Sequence, residues 1–105
     1  MGKLSRNKGH SYEREIAQRF RELYPDARRQ LEYHEDDCNG IDIQGVGPFD
    51  IQCKRFKKYA PLSCIEEVLP KPDRIPVLIT KGDRKDDIVC LYLNDFIEIL
   101  KEWQE

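Results

Sequence analysis

Residues 41–58, IDIQGVGPFDIQCKRFKK, constrain the fold more than any other stretch of this chain. Two short runs in which apolar and polar residues alternate, Ile41–Gln44 and Phe49–Lys54, flank a Gly45-Val46-Gly47-Pro48 turn. That is the pattern of a β-hairpin. Alternation in a strand sends Phe49, Ile51 and Cys53 to one face and Asp50, Gln52 and Lys54 to the other. The natural pairing across the turn puts Asp42 on the face of Gln52 and Lys54. A carboxylate, an amide oxygen and an ammonium then converge on one side of a sheet, a set suited to a metal ion and a phosphate.

Composition limits what can be built around this hairpin. A chain of 105 residues makes one domain with a modest core. Its charged content is 36%, but the apolar residues fall in periodic runs, which argues for a folded chain. The net charge of −2 conceals segregation: residues 35–51 hold five acids and no base, and residues 52–58 hold four bases and no acid. An acidic pocket beside basic segments fits a metal site next to a polyanion surface better than a uniformly basic coat. The four cysteines (Cys38, Cys53, Cys64, Cys90) form no CxxC pair and only two histidines accompany them, which speaks against structural zinc. Cys53 and Cys90 lie in strand-like runs and read as packing residues. With no signal peptide and no bilayer-length apolar run, the expected setting is cytoplasmic, with reduced thiols.

In chain order, residues 1–9 form a basic lead-in. A helix follows from an N-cap at Ser11 to the stop at Pro25, with Tyr12, Ile16, Phe20 and Leu23 or Tyr24 as its apolar stripe. Glu13 borders that stripe; a first-turn Glu is also an ordinary helix-dipole partner. Residues 27–34 read as a first strand, and Glu35, Asp36 and Asp37 as turn formers. After the hairpin come a short helix over 61–69, a buried central strand over 75–80, and a strand over 88–93. The last element is a helix capped by Asn94 with Phe96, Ile97, Leu100 and Trp103 on its inner side. This order, αβββαββα, is a mixed α/β fold with helices flanking one central mixed sheet.

The motifs carry a family resemblance. Asp42 followed after nine residues by Gln52-Cys53-Lys54 resembles the core of the PD-(D/E)XK nucleases in a D…QxK form. Lys8-Gly9-His10-Ser11-Tyr12-Glu13-Arg14-Glu15 resembles the K-G-x-x-x-E-R-E opening of archaeal-type Holliday-junction resolvases, and Ile75–Lys81 resembles the family's strand after its second helix. The resemblance covers residues 8–93. It implies a restriction-endonuclease-like core, a first-helix Glu that joins the metal site, and a homodimer suited to a two-fold junction. The chain departs from the pattern in having Gln52 where Glu is usual, no Pro before Asp42, and a short second helix.

For phosphodiester hydrolysis the residue types divide by role. Mg²⁺, with Mn²⁺ as substitute, takes oxygen ligands: Asp42, the Gln52 amide oxygen, the backbone carbonyl of Cys53, and Glu13 directly or through water. Lys54 orients or helps deprotonate the attacking water and offsets phosphate charge. Asp50 or Glu13 is expected to compensate for the charge Gln52 lacks. Lys8, His10, Arg14, Arg55, Lys57 and Lys58 are candidates for phosphate contacts, which bind DNA without reading sequence. Phe56 or Tyr59 can pack on sugars or bases. Of Arg28 and Arg29, parity lets only one face the site. The expected activity is a Mg²⁺-dependent, structure-selective endonuclease acting on branched or duplex DNA as a homodimer, most simply a Holliday-junction resolvase. Alternatives are a flap, nicking or restriction-type DNase of the same fold, or a catalytically silent nucleic-acid-binding module. The small size suits a phage-encoded enzyme.

Overall fold

Strand β3 (Phe49–Arg55) joins the hairpin to the rest of a five-stranded sheet in the computed structural model, which describes residues 3–30 and 40–104, with side chains from Gly9 onward. The strand order follows the sequence: β1 (Arg28–Arg29), β2 (Ile43–Val46), β3, β4 (Ile75–Lys81) and β5 (Ile88–Cys90). β3 and β4 are parallel, and every other neighbouring pair is antiparallel. The parallel pair requires a crossover. It runs through residues 56–74 and includes a 3₁₀ turn, Leu62–Glu67. Helices α1 (Lys3–Arg21) and α2 (Leu93–Trp103) complete a mixed α/β architecture.

The hairpin is tighter than the sequence indicates. Val46 pairs with Phe49, leaving a two-residue connection in which Gly47 takes φ +51°. Ile43 pairs with Ile51, so β2 holds one extra residue between these pairs. Gly45 sits in that bulge at φ +86°, where only a glycine is unstrained. A side chain there would also strike the backbone carbonyl of Asp26. Asp42 lies just before β2, and its N–H reaches the carbonyl of Ile51, the residue that also pairs with Ile43.

One face of the sheet carries the main core, where Tyr12, Ile16 and Ala17 of α1 meet Ile43, Val46, Ile51, Cys53, Val77 and Ile79. The helix is pinned at a second point: the Tyr12 hydroxyl donates to Asp87 at 2.8 Å, and Arg19 pairs with the same carboxylate at 3.3 Å. Of the two candidates for the end of the stripe, Tyr24 packs on the core and Leu23 is 78% exposed. The helix is described from Lys3, so Ser11 lies inside it and residues 3–9 of the lead-in are helical. Residues 3–10 contain no proline, and the single Gly9 costs only about 1 kcal/mol relative to Ala. Residues 31–39, which include the end of the expected first strand, the acids Glu35, Asp36 and Asp37, and Cys38, lie outside the described residues.

The opposite face is smaller and partly polar. Leu78 is buried there, and Ile65 and Val68 are buried in and just after the 3₁₀ turn. The buried Thr80 hydroxyl accepts the Ala60 N–H at 2.9 Å. Asp50 and Gln52 are each only 3% exposed. Arg74, at the end of the crossover, binds Asp50 Oδ1 through Nε (2.9 Å) and Nη2 (2.7 Å), leaving Oδ2 buried without a partner among the described residues, and also donates to the carbonyls of Gly47 and Phe49. Asp50 does share a face with Gln52, but Arg74 holds it and it does not compensate for the neutral Gln52.

The C-terminal expectations change most. β5 stops at Cys90, Tyr92 occupies the N-cap position of α2 with no side-chain cap bond, and Asn94 lies inside the helix. No α2 residue is buried; Phe96, Ile97 and Leu100 are 40–45% exposed, Leu93 69% and Trp103 85%. The helix meets the body through Ile99, which lines a groove with Phe20, Phe49 and Leu91. Its wide apolar face therefore points outward.

Arg74→Ala is expected to destabilise the fold by roughly 2–3 kcal/mol in urea denaturation. The loss falls below that of a fully enclosed pair because the Arg74 side chain is 34% exposed. A loss under about 0.5 kcal/mol, as for an exposed pair, would mean that Arg74 does not secure the buried Asp50.

Candidate active site

Asp42 lies where the chain enters β2, and its backbone is held on both sides. Its N–H donates to the Ile51 carbonyl at 2.7 Å, and its carbonyl accepts the Gln30 N–H at 2.8 Å. Its side chain turns toward β3, where Oδ2 accepts the backbone N–H of Cys53 at 2.9 Å. The N–H and C=O of a strand residue point to the same edge, so the Cys53 carbonyl faces the Asp42 side too. Gly40 sets the approach: it takes φ +80°, and a side chain there would collide with the backbone carbonyl of Glu67. The segment leading to Asp42 therefore lies directly against the end of the 3₁₀ turn.

Burial pushes the Asp42 carboxyl up to about 6 from its ordinary 3.8; the Cys53 N–H opposes the rise. Among its charged neighbours, Glu13 and Glu67 raise it and Lys54 lowers it. Burial raises the Cys53 thiol strongly, with Asp42 and Glu13 adding to the effect. Cys53 is therefore a thiol at neutral pH and no nucleophile.

Gln52 and Lys54 project from β3 and meet one residue that sequence reasoning did not single out. Glu67 Oε1 accepts Gln52 Nε2 at 2.9 Å and pairs with Lys54 Nζ at 3.3 Å. The other end of the Gln52 amide, Oε1, is buried with no protein partner. The signal that could have led to Glu67 was the neutral Gln52 itself, since an acid missing from a strand invites a search of the element covering that face. Its partner lies 15 residues further along the chain, across the crossover, where no local periodicity links them.

Glu13 approaches Asp42 from α1 and is paired with Arg29 at 3.3 Å. Arg29 is thus the member of the arginine pair that faces the site, while Arg28 donates to the Asp26 carbonyl and Gln44. The structure brings Glu13, Cys53 and Lys54 close to Asp42, and Gln52 joins this set through Glu67. Among the described residues, no three His, Cys, Asp or Glu side chains stand close enough to hold a metal by themselves. Mg²⁺ does not require such a cage, since it is usually held by one or two carboxylates, with waters and substrate phosphates completing the shell. The Asp42 carboxyl and the buried, unpartnered Gln52 oxygen are donors of the kind such a site uses.

The basic candidates are dispersed around it. Arg14 is exposed on α1; Lys57 and Lys58 are exposed just beyond β3. Arg55 pairs with Asp83 at 3.5 Å. His10 is half-buried and has an interaction of its own, and the Lys8 side chain lies outside the described residues. Phe56 is 45% exposed, whereas Tyr59 is tied down by its hydroxyl to the Asp86 carbonyl at 2.8 Å and lies under Lys85. No described helix is long and apolar enough to cross a membrane. Compared with known protein families, curated proteins and solved structures, the chain matches none.

The raised Asp42 carboxyl sets a pH dependence. Folding takes up a proton between 3.8 and about 6, so this group's contribution to stability is full below about pH 4 and is lost as pH rises through 6. In chelator-treated protein, Asp42→Asn is expected to be more stable than wild type by roughly 1–2 kcal/mol at pH 7.5. The difference should shrink toward zero at pH 4. Urea denaturation at both pH values checks this; an equal difference at both would refute the burial account.

Proposed function

We propose that this chain is a divalent-metal-dependent DNA endonuclease of the structure-selective kind, resembling Holliday-junction resolvases and acting as a homodimer. The observation that carries the reading is the buried, unpartnered Gln52 oxygen on a strand face shared with Lys54, whose charge, like that of the Gln52-bound Glu67, acts on the Asp42 carboxyl. A polar atom enclosed without a partner costs on the order of 1–3 kcal/mol. A cation would recover that cost.

In this reading Asp42, the Gln52 Oε1 atom and the Cys53 carbonyl would hold Mg²⁺, and Glu13, paired to Arg29, would add a carboxylate directly or through water. When bound, such a cation supplies charge neutralisation at the phosphate and acidifies water. Asp42, kept in place by the Cys53 N–H, orients the site with little reorganisation. Lys54 sits on the same face, where its ammonium can leave Glu67 to meet a phosphate oxygen and to orient the attacking water by donating a hydrogen bond to it. Arg14, Lys57 and Lys58 offer charge for backbone phosphates without base readout, which suits recognition by shape.

The outward face of α2 supports the homodimer. Monomers rarely expose contiguous apolar patches beyond several hundred Å². Leu93, Phe96, Ile97, Leu100 and Trp103 are all exposed along α2, beside a groove of about 450 Å³ lined by Val89, Leu91, Leu93 and Phe96. A second copy is the occupant that a two-fold DNA substrate calls for.

Two experiments test the proposal. On a synthetic four-way junction with Mg²⁺ or Mn²⁺, paired symmetric cuts are expected, with linear duplex of the same sequence left intact. Asp42→Asn and Lys54→Ala should each reduce cleavage by roughly 100-fold or more. Cleavage of both substrates would favour a flap, nicking or restriction-type DNase. Binding without cleavage under every metal would favour a silent binding module. In analytical ultracentrifugation the wild-type chain should sediment as a dimer and Leu93→Asp/Phe96→Asp as a folded monomer; a monomeric wild type at micromolar concentration would sink the dimer.

A further inference from the structure

We propose that Glu67, at the end of the 3₁₀ turn, supplies the second carboxylate of the metal site, standing in for the acid that β3 lacks at Gln52. This inference rests on the nuclease reading and deepens it, because it concerns how the same site reaches its charge.

Gln52 is neutral, so the strand residues alone give the site one full negative charge, from Asp42. Affinity for a hard cation rises with the number of charged oxygen ligands. Glu67 stands next to the position where the strand carboxylate is absent: its Oε1 atom is 2.9 Å from the Gln52 amide nitrogen and 3.3 Å from Lys54 Nζ. The hydrogen bond to Gln52 orients the amide, so that its nitrogen faces Glu67 and its buried oxygen remains the unpartnered end.

The backbone also holds Glu67 at the site. Gly40 packs against the Glu67 carbonyl so closely that no side chain fits between them. Two residues later the chain delivers Asp42. The two carboxylates are therefore joined through a backbone contact between the loop before β2 and the crossover after β3. The Glu67 side chain remains 52% exposed, which leaves it within reach of solvent ions and of a phosphate. Lys54 is paired with Glu67, and its charge also acts on Asp42.

The test moves the charge. Mg²⁺ and Mn²⁺ binding to the full chain is measured by isothermal titration calorimetry for wild type, Glu67→Gln, Gln52→Glu and the double variant Gln52→Glu/Glu67→Gln, with junction cleavage followed in parallel. Glu67→Gln is isosteric and keeps an acceptor for the Gln52 amide, so the fold should survive it. It is expected to weaken metal binding by roughly 10–100-fold, and the double variant should recover most of that loss because the carboxylate has returned to β3. Wild-type binding with Glu67→Gln equally tight would overturn the inference and leave the nuclease reading standing. A double variant as weak as Glu67→Gln would also overturn it, reducing Glu67 to a partner of Lys54. If the wild-type chain bound no metal and cut no DNA, the nuclease reading itself would fall and this inference with it.

Discussion

β3 is a central strand with polar side chains on a buried face, and the rest of the structure depends on how that conflict is met. Asp50 and Gln52 are almost wholly enclosed, and an enclosed polar group without partners is costly. Arg74 binds Asp50 and Glu67 binds Gln52, and both partners come from the crossover between β3 and β4. The crossover is thus fastened to the strand by its polar residues, while the apolar Ile65, Val68 and Leu78 fill the space around them. A short 3₁₀ turn suffices where a long helix would ordinarily cover the sheet, because polar bonds share the work of holding it down.

The two polar attachments differ in consequence. Asp50 and Arg74 form an ion pair through Oδ1, and Arg74 also holds the hairpin turn through the Gly47 and Phe49 carbonyls. Gln52, Lys54 and Glu67 form a looser group, half open to solvent, next to a carboxyl whose charged form is disfavoured by its own burial. Concentrated negative charge, an unpartnered oxygen and a displaceable lysine make an arrangement that is under-satisfied in the chain alone. On the proposed reading, the cation and the phosphate supply what is missing, and the stability lost in their absence is the counterpart of binding energy gained in their presence.

The α1 face resolves its burial inside one chain, with Tyr12, Ile16 and Ala17 against the sheet. The α2 end does not. β5 is three residues long and lies at the sheet edge, and the helix after it turns its apolar face outward. A short edge strand and an uncovered amphipathic helix at the same end give the molecule one region whose burial calls for another surface. The candidate active site involves the opposite edge of the sheet, near β1 and β2, so the two features occupy different parts of the fold.

The sequence by itself determined the element order, the hairpin and the face assignments along β3, because alternation and turn residues act over a few neighbours. It also singled out Asp42, Gln52 and Lys54, whose spacing follows from one hairpin. Only the tertiary structure decided which partners meet them. Glu67 and Arg74 reach β3 through a crossover, Arg29 reaches Glu13 between separate elements, and Asp50 is consumed by an ion pair that parity cannot reveal. The same limit explains α2: periodicity marks an apolar face but not the direction it points, which depends on how a two-residue link sets the helix against a sheet already covered by α1. Local rules are written into neighbouring residues, whereas partners across a parallel crossover are set by packing and by the satisfaction of buried polar groups.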